Sequence, residues 1–106
     1  MGITPHPAPY PDIVMYEHAL PITWRVYLRS NGVPIDITGD EVLALVLDDR
    51  VEVAELGVER LDEVAGTLQL TIDQTVYDAV KRYSTWRLFD SAQFDYPVLQ
   101  GRLVKA

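Results

Sequence analysis

The segment Ile22-Thr23-Trp24-Arg25-Val26-Tyr27-Leu28-Arg29 alternates between side chains suited to a protein interior and side chains suited to its surface. Successive side chains of a β-strand point to opposite faces of the sheet, so a period of two predicts a strand with one buried face. We expect that buried face to carry Ile22, Trp24, Val26 and Leu28. Asn31 and Gly32 follow and both tolerate positive φ, which predicts a turn after the strand.

Outward from this segment, alternating or apolar stretches recur and are separated by turn-forming residues. We predict further strands over residues 33–36, 42–47, 51–56, 67–72, 84–89 and 97–104. The first of these is expected to be a short edge strand, because Pro34 cannot donate to a ladder. Residues 58–65 are polar and ambiguous, and are consistent with a short strand followed by a loop. Val76, Ala79 and Val80 have helical spacing after Asp73, a good N-cap, and predict one short helix or two turns.

About seven short strands with frequent turns are typical of a β-sandwich. We therefore predict an all-β fold, an immunoglobulin-like antiparallel β-sandwich with one short connecting helix and an extended N-terminal arm. The chain has 106 residues, which is enough for one hydrophobic core but too few for two. The predicted organisation is an arm over residues 1–11 and a sandwich domain over residues 12–106.

The arm carries a proline at every second position from Pro5 to Pro11. Proline fixes φ and lacks an N–H donor, so this pattern favours an extended polyproline-II segment. A disordered leader is one interpretation of it. The other is an arm that lies along a neighbouring molecule at little entropic cost. The residues that we expect to make that contact are Ile3, Pro5, Pro7, Pro9 and Tyr10.

Residues 42–47 are six apolar side chains in a row, which is typical of a strand covered on both faces or of a short buried helix. Gly39 before them and the turn at Asp48 and Asp49 after them favour the strand. In a two-layer sandwich one face of such a strand points to water, so either Leu43, Leu45 and Leu47 or Val42, Ala44 and Val46 require a cover. The candidates are the chain's own helix at residues 73–82 and a partner subunit. Phe89, Phe94 and Tyr96 form a second apolar cluster near the 90–97 loop. The residues of this strand and loop that we expect to contact a partner are Leu43, Leu45, Leu47, Phe94 and Tyr96.

Composition excludes several kinds of chemistry. The chain has no cysteine, which excludes disulfides, thiolate metal sites and cysteine nucleophiles. Its net charge of −7 disfavours binding to nucleic acid, a polyanion. The sequence has no run of eighteen apolar residues, so we predict no membrane span. It does not begin with a basic stretch followed by an apolar one, so we predict no secretory signal.

The sequence also lacks an arrangement typical of catalysis or metal binding. His6 and His18 lie on different predicted segments, and none of the three serines lies in a nucleophile elbow. The acidic pairs fall at predicted turns, where carboxylates are solvated. Asp36, Thr38 and Asp40 alternate like calcium ligands, but the bidentate glutamate of such loops is missing. Arg25 and Arg29 flank Tyr27, with Arg87 and Phe89 as an extension, and resemble a nucleic-acid strip. The net charge favours a solvated face or a surface for an acidic partner instead. We predict no enzymatic activity, no catalytic residues, no metal and no cofactor.

Several stretches together resemble the small β-sandwich modules of tailed-bacteriophage virions, such as the N-terminal domain of baseplate upper proteins and the sandwich domains associated with tail fibres. The stretches that carry the resemblance cover residues 31–39, 42–47, 66–71, 86–88 and 99–104. The resemblance implies a structural role in a virion, in tail or fibre attachment or in head decoration. It also implies synthesis in the host cytoplasm and binding to other virion proteins in a homo-oligomeric or symmetric assembly.

A carbohydrate-binding β-sandwich module is the alternative from another class of protein. Exposed aromatic rings on such sandwiches stack on sugars, and this chain has six tyrosines. They are Tyr10, Tyr16, Tyr27, Tyr77, Tyr83 and Tyr96.

Overall fold

A computed structural model of the chain describes residues 8–93 and 97–106. Within them are eleven strands and one short α-helix. In chain order these are β1 (Ala8–Pro9), β2 (Ile13–Met15), β3 (Ile22–Tyr27), β4 (Arg29–Ser30), β5 (Val33–Pro34), β6 (Val42–Asp48), β7 (Val51–Glu55), β8 (Gly57–Asp62), β9 (Thr67–Ile72), α1 (Gln74–Ala79), β10 (Tyr83–Asp90) and β11 (Pro97–Lys105). Glu17–Ala19 and Ser91–Gln93 form single 3-10 turns.

The strands form two principal sheets. The large sheet has the order β1-β11-β10-β6-β7, with β2 also paired to β11, and the small sheet has the order β3-β9-β8. Strands β4 and β5 form a separate hairpin. The prediction of an all-β, sandwich-like fold with one short helix is confirmed, and seven of the strands have five or more residues.

The core lies between the inner faces of the two sheets. Small-sheet residues Val26, Leu68, Leu70 and Ile72 are buried together with Ala44, Val46, Trp86, Leu88 and Leu103 of the large sheet. Their spacing of two along each strand is the alternation that the sequence predicts. Each fully buried aliphatic side chain stabilises the fold by about 1.5–3 kcal/mol. The apolar periodicity therefore decides which face of each sheet points inward.

Two features connect the sheets. Asp49 and Arg50 have positive φ values of 49° and 69° in the tight turn between β6 and β7, and this is the hairpin that the sequence predicts. After β7 the buried Leu56 donates its N–H to the carbonyl oxygen of Ala44 at 2.9 Å. The chain then crosses to the small sheet as β8. Leu56 therefore fixes the point where the chain changes layer.

Helix α1 begins after Asp73, whose Oδ1 accepts a hydrogen bond from the Val76 N–H at 2.9 Å. This confirms the predicted N-cap. Val76 and Val80 belong to the buried core, and the helix packs on β7 and β9. The apolar side chains of α1 are therefore on the core side of the large sheet. One of the two covers expected for Leu43, Leu45 and Leu47 was this helix, and that expectation is wrong.

The end of the arm pairs with the chain's own large sheet. Ala8 and Pro9 lie parallel to β11 opposite Leu99 and Gln100, and Ile13–Met15 continue along the same strand. These two parallel pairings depart from the wholly antiparallel sandwich that the sequence predicts. Pro9 is tolerated there because β1 is at the edge of the sheet, where a missing N–H breaks no further ladder.

The structure of β8 explains why the sequence pattern of residues 58–65 does not clearly predict a strand. Val58 and Arg60 are half-buried at alternate positions, but an arginine occupies the second of them. The guanidinium of Arg60 donates to the carbonyl oxygens of Ile37 and Asp40, which satisfies N–H donors of a partly buried cation. A register shift between Arg60 and Asp62 then interrupts the alternation. None of the helices in the described part of the chain is long and apolar enough to cross a membrane.

Candidate docking face

The face of the large sheet that points away from the core is the candidate site, and we call it the outer face. Ala44 and Val46 of β6 are fully buried in the core. Because side chains alternate along a strand, Leu43, Leu45 and Leu47 lie on the opposite side. All three are half-buried. A row of three leucines thus runs along a central strand of the sheet on its outer side.

Strand β10 supplies the neighbours of the leucine row on one side. Phe89 is the cross-strand partner of Leu43, Arg87 of Leu45 and Thr85 of Leu47. Directly opposed residues of antiparallel strands share a face and lie within side-chain contact. Phe89 therefore extends the apolar surface at one end of the row, whereas Arg87 places a positive charge beside its middle.

Strand β7 supplies the neighbours on the other side. Glu55 is the cross-strand partner of Leu45, and Glu52 is the partner of Leu47 after a register shift in the ladder. Both glutamates are exposed. The outer face is therefore divided by charge, with an arginine on the β10 side of the leucine row and two glutamates on the β7 side.

Arg87 is a partly buried cation on this face. Its side chain is half-buried, and within residues 8–93 and 97–106 its buried Nε has no hydrogen-bond acceptor. In the same part of the chain the ion pairs are Arg102–Asp12 at 2.8 Å and Arg60–Glu63 at 3.6 Å. A partly desolvated guanidinium binds a carboxylate more strongly than an exposed one does. Arg87 can therefore recognise an acidic group on whatever covers the leucines.

The residues expected to contact a partner fall into three sets. Leu43, Leu45 and Leu47 lie together on the outer face. Pro9 is exposed at the sheet edge, and Tyr10 is half-buried with its ring edge-on to Trp86 at 5.6 Å between centroids. Ile3, Pro5, Pro7, Phe94 and Tyr96 are outside the described residues. Contact of all these residues with a partner stays a prediction.

Arg87 does not extend the strip of Arg25 and Arg29 that was considered from the sequence. Arg25 lies on β3, where the neighbouring Val26 is buried in the core, so its side chain is on the outer side of the small sheet. Arg87 is on the outer side of the large sheet. The two arginines are thus on opposite sides of the sandwich, and no single strand of nucleic acid would follow them as one straight strip.

The tyrosines are divided in the same way. Tyr27 and Tyr83 are 53% and 60% exposed, but Tyr27 is on the outer side of the small sheet and Tyr83 on that of the large sheet. Tyr10 and Tyr77 are half-buried and pack against the core. Tyr27 and Tyr83 therefore cannot stack on the same short sugar chain.

An open cavity of about 410 Å³ lies at the β6–β7 turn. Its lining residues are Asp48, Asp49, Lys81, Arg82 and Tyr83. The two carboxylates and two cations of this lining balance, so the cavity has no dominant charge to select a ligand. Among the described residues no three histidine, aspartate or glutamate side chains are grouped so that they could hold a metal ion.

A buried carboxyl group ends β10. Asp90 is 3% exposed and accepts a hydrogen bond from the Ala92 N–H at 3.1 Å. Burial raises the pKa of Asp90, and the nearby Asp40 raises it further, whereas the Ala92 N–H opposes the shift. Ser91 joins this end of the strand to the loop before β6 through two hydrogen bonds with the Glu41 backbone. These hydrogen bonds hold the end of β10 against the segment that leads into β6.

Sequence reasoning offered the leucines as one of two possible rows and named Arg87 only as an extension of the arginine strip, so it missed that charges flank the leucine row. Arg87 and Glu55 are 32 positions apart in the sequence, and only the pairing of β10 and β7 with β6 brings them beside Leu45. The available signal was the alternation of residues 84–89, which puts Arg87 on the solvent face. No protein-family model matches the chain, and a search of curated proteins found no significant match.

Proposed function

We propose that this chain is a non-enzymatic structural protein of a bacteriophage virion, with a role in tail or fibre attachment or in head decoration. It binds neighbouring virion subunits through its N-terminal arm and its outer face. It is made in the host cytoplasm and carried in the particle. The turn and strand motifs that resemble phage sandwich modules support the virion assignment.

The observation that carries the subunit-binding part is the half-buried leucine row of β6. An apolar row on the solvent side of a sheet is an aggregation hazard unless another surface lies over it. Helix α1 buries its valines on the other side of the sheet. A neighbouring subunit is a cover of the required kind, and its binding would remove the leucines from water.

The test is quantitative mass spectrometry of purified particles produced from the genome that encodes the chain. We expect the chain at a fixed ratio to the major particle proteins, retained after density-gradient purification. A chain that is abundant in the lysate but absent from purified particles would contradict the proposal.

A variant pair tests the use of the outer face in the particle. Leu45→Glu places a charge in the leucine row, and we expect it to lower the copy number of the chain at least about tenfold, because burying an unpaired charge is costly. Gln69→Glu is the matched control, since Gln69 has the corresponding central position on the outer side of the small sheet. Equal copy numbers for the two variants would exclude the outer face as the attachment surface.

A further inference from the structure

Arg87 and Glu55 lie at the same level of the outer face, on opposite sides of the leucine row. Each is the cross-strand partner of Leu45. Neighbouring strands are about 4.8 Å apart, so the two residues begin about 10 Å from each other across β6. Leu45 stands between them, and the charges therefore lie on either side of an apolar row.

Consider a two-fold axis that runs parallel to β6, midway between two copies packed face to face. Rotation about this axis exchanges the β10 side and the β7 side of the outer face. It keeps each residue at its level along the strand but moves the β10 side over the β7 side. In two copies packed face to face, Arg87 of each copy would then lie opposite Glu55 of the other, and the leucine row would lie on the leucine row. The outer face is therefore complementary to itself under this rotation, as an isologous interface requires.

Resting on the proposed function of the outer face, we propose that its partner is a second copy of this chain, related by a two-fold axis that runs along β6 near Leu45. The charge pattern selects this axis. Rotation about an in-plane axis perpendicular to the strands would instead place Arg87 over Arg87 and Glu55 over Glu55. Like charges in contact disfavour that arrangement, and opposite charges favour the first.

Partial burial of Arg87 strengthens the preference for the axis that brings opposite charges together. The Arg87 side chain is half-buried, and a partly desolvated guanidinium pairs with a carboxylate more strongly than an exposed one does. Packed sheets lie about 10 Å apart, a gap that the leucines fill and that arginine and glutamate side chains can span. Each interface contains the Arg87–Glu55 pair twice, so one substitution changes two contacts.

The small sheet provides a matched comparison within the same molecule. Arg25 and Glu59 are the cross-strand partners of Gln69, so its outer side has the same flanking charges at one level. The central row there is Thr67, Gln69 and Thr71, which is polar. Charges without an apolar row give little association in water, because exposed ion pairs contribute almost nothing. We therefore expect association only through the large sheet.

Sedimentation equilibrium over protein concentrations from about 1 to about 100 µM tests the proposal. The buffer contains about 0.15 M salt, where the Debye length is about 8 Å. We expect wild type to approach the dimer mass as concentration rises. Arg87→Glu and Glu55→Arg should each raise the dissociation constant at least about tenfold, since each juxtaposes like charges at two places. The double variant R87E/E55R should restore association, and the control R25E/E59R should leave it unchanged.

Glu55 is exposed, so Glu55→Arg carries the test even where Arg87→Glu fails to fold. A wild-type chain that stays monomeric throughout overturns the proposal. So does a dimer that the single variants leave intact, or a double swap that fails to restore association. These outcomes differ from failure of the proposed function, which is absence from purified particles. A chain that is monomeric in solution but retained in particles would keep the proposed function and assign the outer face to a different virion protein.

Discussion

Gly101 lies directly opposite Trp86 on neighbouring strands of the large sheet, and a Cβ atom on Gly101 would be 2.7 Å from Trp86 Nε1. Trp86 is fully buried, and its ring is edge-on to Tyr10 at 5.6 Å and to Trp24 at 5.8 Å between centroids. The missing side chain at Gly101 thus makes room for the indole at the centre of the core.

We expect Gly101→Ala to lower the free energy of unfolding by about 1–3 kcal/mol, the usual cost of forcing an extra methyl group into a packed core. Urea denaturation monitored by tryptophan fluorescence measures it. The same substitution in a Trp86→Phe background should cost less, because the smaller ring relieves the contact. An equal cost in both backgrounds would show that the size of the Trp86 indole is not the reason that position 101 requires glycine.

Tyr10 joins the end of the arm to the sandwich. Its N–H donates to the Gln100 carbonyl oxygen at 2.9 Å, and its half-buried ring packs on Trp86. We expect Tyr10→Ala to lower the free energy of unfolding by about 1–2 kcal/mol, because an aromatic contact and buried area are lost. Thermal denaturation measures it.

Tyr16→Ala is the matched control for Tyr10. Tyr16 is 50% exposed and lies outside the strands, so its removal should change stability by less than about 0.5 kcal/mol. If both variants unfold at the same temperature as wild type, the Tyr10–Trp86 contact contributes nothing to the fold.

Local patterns predicted most of the strands because one face of each is buried. The alternation of residues 22–28 and 67–72 reports the core directly, since Val26, Leu68, Leu70 and Ile72 are fully or almost fully buried. The N-cap of α1 could also be predicted, because capping depends on two residues that are only three positions apart in the sequence.

The features of the fold and of the outer face that local patterns did not predict depend on contacts between distant parts of the chain. The pairing of β1 and β2 with β11 joins the two ends of the domain, and nothing within either segment specifies its partner. Arg60 obscured β8 because the acceptors of its N–H groups are carbonyl groups of a distant loop. The charged members of the outer face were hidden for the same reason, since strand order and register place Arg87 and Glu55 around Leu45.

Asp90 makes stability depend on pH in a defined direction. Burial raises the pKa of this carboxyl in the folded protein. Its contribution is therefore fully present below the unfolded pKa of about 3.9 and is lost as pH rises through the folded pKa. An asparagine side chain does not titrate, so Asp90→Asn should become more stable relative to wild type as pH rises from about 3 to about 7. Urea denaturation at several pH values measures the difference.

Asp36→Asn is the control of opposite sign. Hydrogen bonds from the side chain and backbone of Thr38 lower the pKa of Asp36, so its contribution is present above the unfolded pKa and lost as pH falls through the folded pKa. This variant should become less stable relative to wild type as pH rises. A stability difference for Asp90→Asn that stays constant, or that follows Asp36→Asn in sign, would contradict the assigned shift.

The central claim is that a second copy of the chain covers the leucine row of β6, and thiol labelling measures that cover most directly. The chain has no cysteine, so Leu45→Cys introduces a single thiol into the row. Val64→Cys is the control, in a turn where the side chain is 68% exposed. Both proteins are alkylated with iodoacetamide in excess over protein at increasing protein concentration. We predict that the alkylation rate of the Leu45→Cys protein falls as the dimer forms, while that of the Val64→Cys protein stays constant. A rate for Leu45→Cys that is independent of protein concentration would contradict the account.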